Sequence, residues 1–245
     1  MQIRTATDQD VPAMARLVLA ALANERPWST IVPPRLAAQA QSVAFAADML
    51  ASLIHDASVL VVLLELSERE SPSRQGPLLV SVSVWDLAYL SPFGQSSCYT
   101  AAVAAAKLSS ATCCDALATL LTTCYTGSMH RLPQRRLYLA LVATLPDFGR
   151  RGFGRTLVLA GLEMAMAQAK LHHVSIGVQA GPTAYILFSG LGFRDVGAVD
   201  LARDAASADD GPYVKTMVLD HSRQRQSKDR RPDCFLLRRL SNAWS

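Results

Sequence analysis

Apolar positions are sparse over Gln2 to Ala6, which is read as a first strand, and Thr7-x-x-Asp10 then has the spacing of a capping box opening a helix that runs through Ala23. Pro27 and the pair Pro33-Pro34 interrupt the helical pattern, and a second helix is predicted from Pro34 to Ile54. Ser58 to Leu66 and Leu78 to Trp85 are rich in β-branched residues and predict a hairpin of two strands around the polar, proline-bearing loop SERESPSRQGP. After Tyr89 come a proline-glycine turn and an alanine- and leucine-rich stretch from Thr100 to Tyr125, which predicts helix. The pattern returns to strand at Leu137, and Tyr213 to Leu219 forms a last strand after an Asp- and Ala-rich loop over Arg203 to Gly211.

Half of the 245 residues are apolar and charge is modest, so the chain can bury one good core, and a single domain with an insertion accounts for it. The predicted domain spans residues 1–220, with a helical insertion at about 90–135. The longest apolar segments, such as Val59 to Leu66, are far too short to span a bilayer, and the N-terminus lacks the blocks of a secretory signal. The five cysteines have no metal-binding spacing, and their odd number suits reduced thiols. A cytoplasmic protein without a bound metal is expected.

Charge is concentrated at one end. His221 to Ser245 carries six arginines and one lysine against two aspartates, a balance of +5, so the rest of the chain sums to about −1. Such a tail serves either as an arm for an acidic partner or as a solvated, disordered extension. The absence of interleaved aromatics for base stacking argues against nucleic acid.

The most informative stretch is LYLALVATLPDFGRRGFGR, Leu137 to Arg155, where a strand pattern passes through Pro146 into a glycine-punctuated, arginine-bearing turn and then a helix. Glycine lets backbone approach a ligand, and the first N–H groups of a helix have no intrahelical partner. Together with the helix dipole these donors favour an anion such as a diphosphate. The spacing fits neither the dinucleotide-fold glycine pattern nor a Walker loop.

With the downstream run Leu187-Phe188-Ser189-Gly190-Leu191-Gly192-Phe193, this stretch resembles the GCN5-related N-acetyltransferases, and ATLPDFGRRGFG is most like the turn of fungal members. The resemblance is strong from Leu137 to Val199 and looser over Met1 to Ala23 and Tyr213 to Leu219. It implies an α/β acyl-CoA N-acyltransferase fold, with a mixed, mostly antiparallel twisted sheet of six to seven strands flanked by helices. It also implies acetyl-CoA as co-substrate and an amine as acceptor. By position, the strand contacts to the pantetheine arm fall on Val142, Ala143 and Thr144. The phosphate contacts fall on Arg150, Arg151, Gly152, Phe153, Gly154 and Arg155.

Three positions depart from the family pattern: Gly149 stands where Gln or Arg is usual, Gly181 where Asn is usual, and Phe188 where many members carry a tyrosine that protonates the departing thiolate. Tyr185, one helical turn earlier, is the candidate acid, with a packing role as its alternative. An amine of pKa about 10.4 is neutral in roughly one molecule in 2,500 at pH 7, which adds about 4–5 kcal/mol to the barrier unless a base removes the proton. Asp86 is the leading candidate base, with Asp147 and the pair His172-His173 as alternatives. Trp28, Trp85 and Phe93 are candidates for an acceptor wall. The insertion either covers an acceptor pocket, which favours a small-molecule amine, or packs on the scaffold. The expectation is an acetyl-CoA-dependent N-acetyltransferase, and the alternative is a catalytically impaired binding or regulatory protein on the same fold.

Overall fold

Leu137 and Leu139 alternate with Tyr138 along one strand, and this two-residue period divides the molecule into a central sheet with helices on both faces. The computed structural model describes residues 1–30, 33–67, 77–91, 98, 123, 126–127, 130–171, 173–201 and 213–220. Seven strands, β1 Gln2–Thr5, β2 Val59–Leu66, β3 Leu78–Asp86, β4 Arg136–Thr144, β5 Ser175–Ala180, β6 Arg194–Asp200 and β7 Tyr213–Asp220, form one sheet in the order β1-β2-β3-β4-β5-β7-β6. Every pairing is antiparallel except β4 with β5. The predicted hairpin of β2 and β3 is present, and the sheet has seven strands.

One face is covered by α1 Val11–Leu22 and α3 Ala40–Ile54, separated by the single turn α2 Pro34–Ala37. Met14, Leu17 and Val18 of α1 and Phe45, Leu50 and Leu53 of α3 bury against Val61, Leu63, Val82 and Val84. The single helix predicted from Pro34 to Ile54 is therefore two, because Gln39 has extended backbone, ψ 140°, and caps α3. No glycine or proline marks the break. The Thr7–Asp10 motif caps a 3-10 turn, Asp8–Asp10, that leads into α1. The Asp10 carboxylate accepts from the Thr7 N–H and hydroxyl, both at 2.8 Å, and pairs with Arg4 at 2.7 Å, while Arg4 also meets Glu65 at 2.6 Å. That cluster fastens β1, β2 and the start of α1 together.

The opposite face carries α4 Phe153–Gln168 and α5 Pro182–Gly190. Leu157, Val158 and Ala165 of α4 and Phe188 of α5 pack on Leu137, Leu139, Ile176 and Val178. Trp85, a candidate for the acceptor wall, belongs instead to this core: it is wholly buried and its Nε1 donates to Ser83 Oγ at 3.2 Å. Gly161 makes room for it, since a Cβ there would collide with Nε1 and stand 3.1 Å from Cε2. Trp28 is half-buried and packs on Val199 and Val214. Phe93, His172, residues 203–211, the tail from His221 and nearly all of Thr100 to Tyr125 lie outside the described residues.

Candidate functional site

The site begins where the sheet opens. β4 pairs with β5 only from Arg136↔Ser175 to Leu139↔Val178, after which β5 continues alongside β7 to Ala180↔Lys215 and β4 continues alongside β3 to Thr144↔Ser81. The β5-facing side of β4 beyond Leu139 therefore has no strand partner. The opening coincides with a bulge, because Val84 faces Leu141 and Trp85 faces Leu139, leaving Ala140 without a partner on β3. A bulge bends its strand and increases local twist, which turns the end of β4 away from β5. Burial changes at the same point: Arg136 to Leu139 are buried, and Ala140 to Val142 are half-buried.

β4 is fixed at its end by the Leu145 N–H, which donates to Val80 O at 2.9 Å, and Pro146–Phe148 then forms a 3-10 turn. Arg150 has φ 59° and Gly152 has φ 86°, two left-handed residues with one residue between them, so the chain coils tightly just before α4. Alternating backbone of this kind makes concavities lined by N–H groups. Gly152 is the N-cap of α4, no side chain caps it, and Thr156 N–H makes the first intrahelical bond, to Gly152 O at 2.9 Å. The N–H groups of Phe153, Gly154 and Arg155 thus precede the helical ladder. A Cβ on Gly152 would meet nothing within 4 Å, so its missing side chain opens onto free space. Gly154 serves packing instead, because its Cβ would lie 3.3 Å from Thr144 Oγ1 and the bare backbone lets α4 press against the end of β4.

Three arginines surround this turn. Arg150 is exposed, Arg151 stands over the Phe148 ring with its guanidinium carbon 5.0 Å from the centroid, and Arg155 Nη1 donates to Gly190 O at 3.3 Å, joining α4 to the end of α5. Phe148 and Phe153 brace the turn from beneath, ring to ring at 6.2 Å. Among the strand positions, Val142 lines the space beside Gly154, while Ser81 Oγ donates to Ala143 O at 2.9 Å and lies 2.8 Å from Thr144 Oγ1. The Thr144 hydroxyl thus has a partner on β3.

The remaining sequence candidates separate. Asp86 ends β3 on the face of Val82 and Val84, is wholly buried, and accepts the Ala88 N–H at 2.9 Å. Burial and then the Asp86 charge push the neighbouring Cys98 thiol well above its ordinary range. Asp147 and His173 are exposed. Phe188 is buried and meets Phe193 edge to face at 5.1 Å, so this position is filled by a core phenyl ring. Tyr185 is half-buried on the same helix. Among the described residues no group of His, Cys, Asp and Glu has the arrangement of a metal site, and no helix is long and apolar enough to cross a membrane.

Two features have no counterpart in the sequence pattern. Arg136 stacks on Tyr89, 3.8 Å from the ring centroid, and Tyr89 meets Tyr138 edge to face at 6.1 Å, on the sheet face away from α4. Glu25, in the loop after α1, reaches across to α5, where its Oε1 accepts the Ala184 N–H at 3.3 Å. Neither contact has a local spacing signal, since each joins segments distant along the chain.

The fold is similar to that of solved acetyltransferases. The agmatine N-acetyltransferase structure matches with a TM-score of 0.54 at 16% identity, covering 89% of this chain and 98% of the other. The histone acetyltransferase HPA2 and related acetyltransferase from Corynebacterium glutamicum matches at 0.52 and 20% identity, covering 89% and 94%. The chain has an N-acetyltransferase fold. A chimera of spermidine N-acetyltransferase SpeG from Vibrio cholerae and hSSAT matches at 0.50 and 14% identity, covering 92% of this chain and 99% of that one. No family model matches the sequence, and no curated protein does. The N-acetyltransferase likeness is one of architecture, and the chemistry rests on the site.

Proposed function

We propose that the chain is an acetyl-CoA-dependent N-acetyltransferase acting on a small-molecule amine. The observation that carries this reading is the opening of the sheet after Leu139, which leaves an unpartnered strand edge leading straight into the coiled turn at Arg150 and Gly152. An unpaired strand edge accepts an extended amide-bearing arm by backbone pairing, and a helix N-terminus with flanking cations accepts a diphosphate. These two subsites lie in the order in which coenzyme A carries its pantetheine and diphosphate.

The residues present fit that group on their own chemistry. Backbone from Ala140 to Thr144 would pair with the amide arm; the N–H groups of Phe153, Gly154 and Arg155 would take the phosphates; Arg150 and Arg151 would add positive charge, and Arg155 would do so while bound to Gly190. When bound, acetyl-CoA supplies the thioester acetyl group. In this proposal Tyr185 is the acid; Asp86, the base expected from the sequence, is wholly buried opposite Tyr138 at the closed end of β4, so water carries the proton from the amine. Holding both partners in place removes much of the entropic barrier, so catalysis would not depend wholly on Tyr185. We place the reaction in the cytoplasm on the reduced-thiol reading of the cysteines, and the fungal likeness of the turn stays a reading of sequence.

Phe188 favours a second reading, in which the scaffold binds acetyl-CoA without efficient transfer, because a buried phenyl ring has no proton to donate. Calorimetric titration with acetyl-CoA, followed by thiol release in the presence of a panel of amines, tests both. Micromolar binding with amine-dependent release supports the enzyme, binding without release supports the second reading, and no binding by a folded sample defeats both.

A further inference from the structure

The loop between α1 and α2 brings a carboxylate to the opened end of β5. β5 ends at Ala180, and Gly181, the N-cap of α5, has no side chain with which to cap that helix. Glu25 comes from the other side of the sheet to supply the missing acceptor, with Oε1 3.3 Å from the Ala184 N–H. Close packing holds it there: a Cβ on Gly181 would lie 2.7 Å from Arg26 O, 3.4 Å from Glu25 Oε1 and 3.4 Å from Pro27 Cδ. The absence of a side chain at 181 is thus what admits the Glu25 to Pro27 loop.

This carboxylate meets the N-terminus of α5 but no cation among the described residues. It is half-buried, and among the described residues it is in no ion pair; a neutral N–H is its hydrogen-bond partner. Burial pushes the carboxyl up, and the Ala184 N–H opposes that in part. A desolvated negative charge without a cation is costly, and a cationic ligand relieves the cost. Ala180 and Gly181 continue the β5 arm past the point where β4 leaves it, so the carboxylate sits at the mouth of the opening.

Resting on the acetyltransferase reading, we infer that Glu25 is a specificity-determining residue that holds a second ammonium group of the acceptor, one that is not acetylated, so that the preferred acceptors are diamines or larger polycations. A fixed carboxylate beside the reacting nitrogen would stabilise its protonated form and oppose attack, whereas beside a distal ammonium it only anchors. Carboxylate recognition therefore suits the amine that keeps its proton.

The test is calorimetric titration of the full chain, saturated with coenzyme A, with 1,4-diaminobutane and with butylamine, for the wild type, Glu25→Gln and Glu25→Asp. Gln keeps an oxygen for the Ala184 N–H, so the contact to α5 persists while the charge is removed. Wild type should bind the diamine at least tenfold more tightly than the monoamine, Gln should erase that difference, and Asp should retain part of it. Equal affinities in the wild type, or an undiminished preference in Glu25→Gln, overturn the assignment. Coenzyme A binding without a diamine preference defeats only this inference, whereas failure of the folded chain to bind coenzyme A defeats the acetyltransferase reading beneath it.

Discussion

A Cβ added to Gly154 would lie 3.3 Å from Thr144 Oγ1, so the first turn of α4 is seated on the last residue of β4. Gly152, two residues earlier, has open space around the same added atom and a left-handed backbone. The two glycines of one turn therefore fail differently when substituted. Gly152→Asp places a carboxylate in the proposed diphosphate space and should weaken acetyl-CoA binding by a hundredfold or more. Strain at positive φ adds about 1–2 kcal/mol of destabilisation. Titration beside a thermal melt separates these effects, and normal binding by the variant would mean that the diphosphate lies elsewhere.

Gly161→Ala tests the core rather than the site. The new methyl group would press on the Trp85 indole, and overpacking of this kind typically costs about 1–3 kcal/mol. Urea unfolding should show the loss with acetyl-CoA affinity unchanged, and an equally stable variant would show that α4 can lift off the sheet without penalty.

For the acid, Tyr185→Phe should slow turnover without weakening acetyl-CoA binding; unchanged turnover assigns Tyr185 to packing. The companion change Phe188→Tyr should not restore rate, since its hydroxyl would enter the buried contact with Phe193. Burying a hydroxyl without a partner costs about 1–3 kcal/mol.

Asp10 sets a pH dependence of stability. Its hydrogen bond to Arg4 is the largest cause holding its carboxyl at about 2, against desolvation that pushes the other way. A depressed carboxyl contributes stability that is complete above its unfolded value near 3.8 and is lost as pH falls toward 2. The stability gap between wild type and Asp10→Asn should be on the order of 1 kcal/mol at neutral pH after solvent screening and should close in that acid window. A gap that stays constant down to pH about 2 would remove the Arg4 pair as its source.

Local pattern disclosed the strands and the glycine turn because each depends on neighbours in sequence: short apolar runs rich in β-branched residues for β2 and β3, an apolar run for β4, and the glycine punctuation before α4. What stayed hidden depends on pairing at a distance. The bulge at Ala140 exists only against β3, and the place where β4 leaves β5 is a property of two strands. The break at Gln39 carries no glycine or proline, and Trp85 reads as a wall until Gly161 is known to lie beneath it. Glu25 was illegible for the same reason, since the N–H that it accepts belongs to α5, far along the chain.

The parting of β4 from β5 also gives the molecule an edge in its interior. Residues 140–144 present unpaired backbone as a border strand does, yet they lie in the middle of the strand order, between β3 and β5. Border strands are sites of unwanted pairing between chains, and proteins cover or charge them. An extended ligand lying along this one would act as an eighth, removable strand. Amide hydrogen exchange over 140–144 should then slow more on ligand binding than exchange over the fully paired stretch from Arg136 to Leu139, and the ligand would protect the chain from self-association as well as taking part in its chemistry.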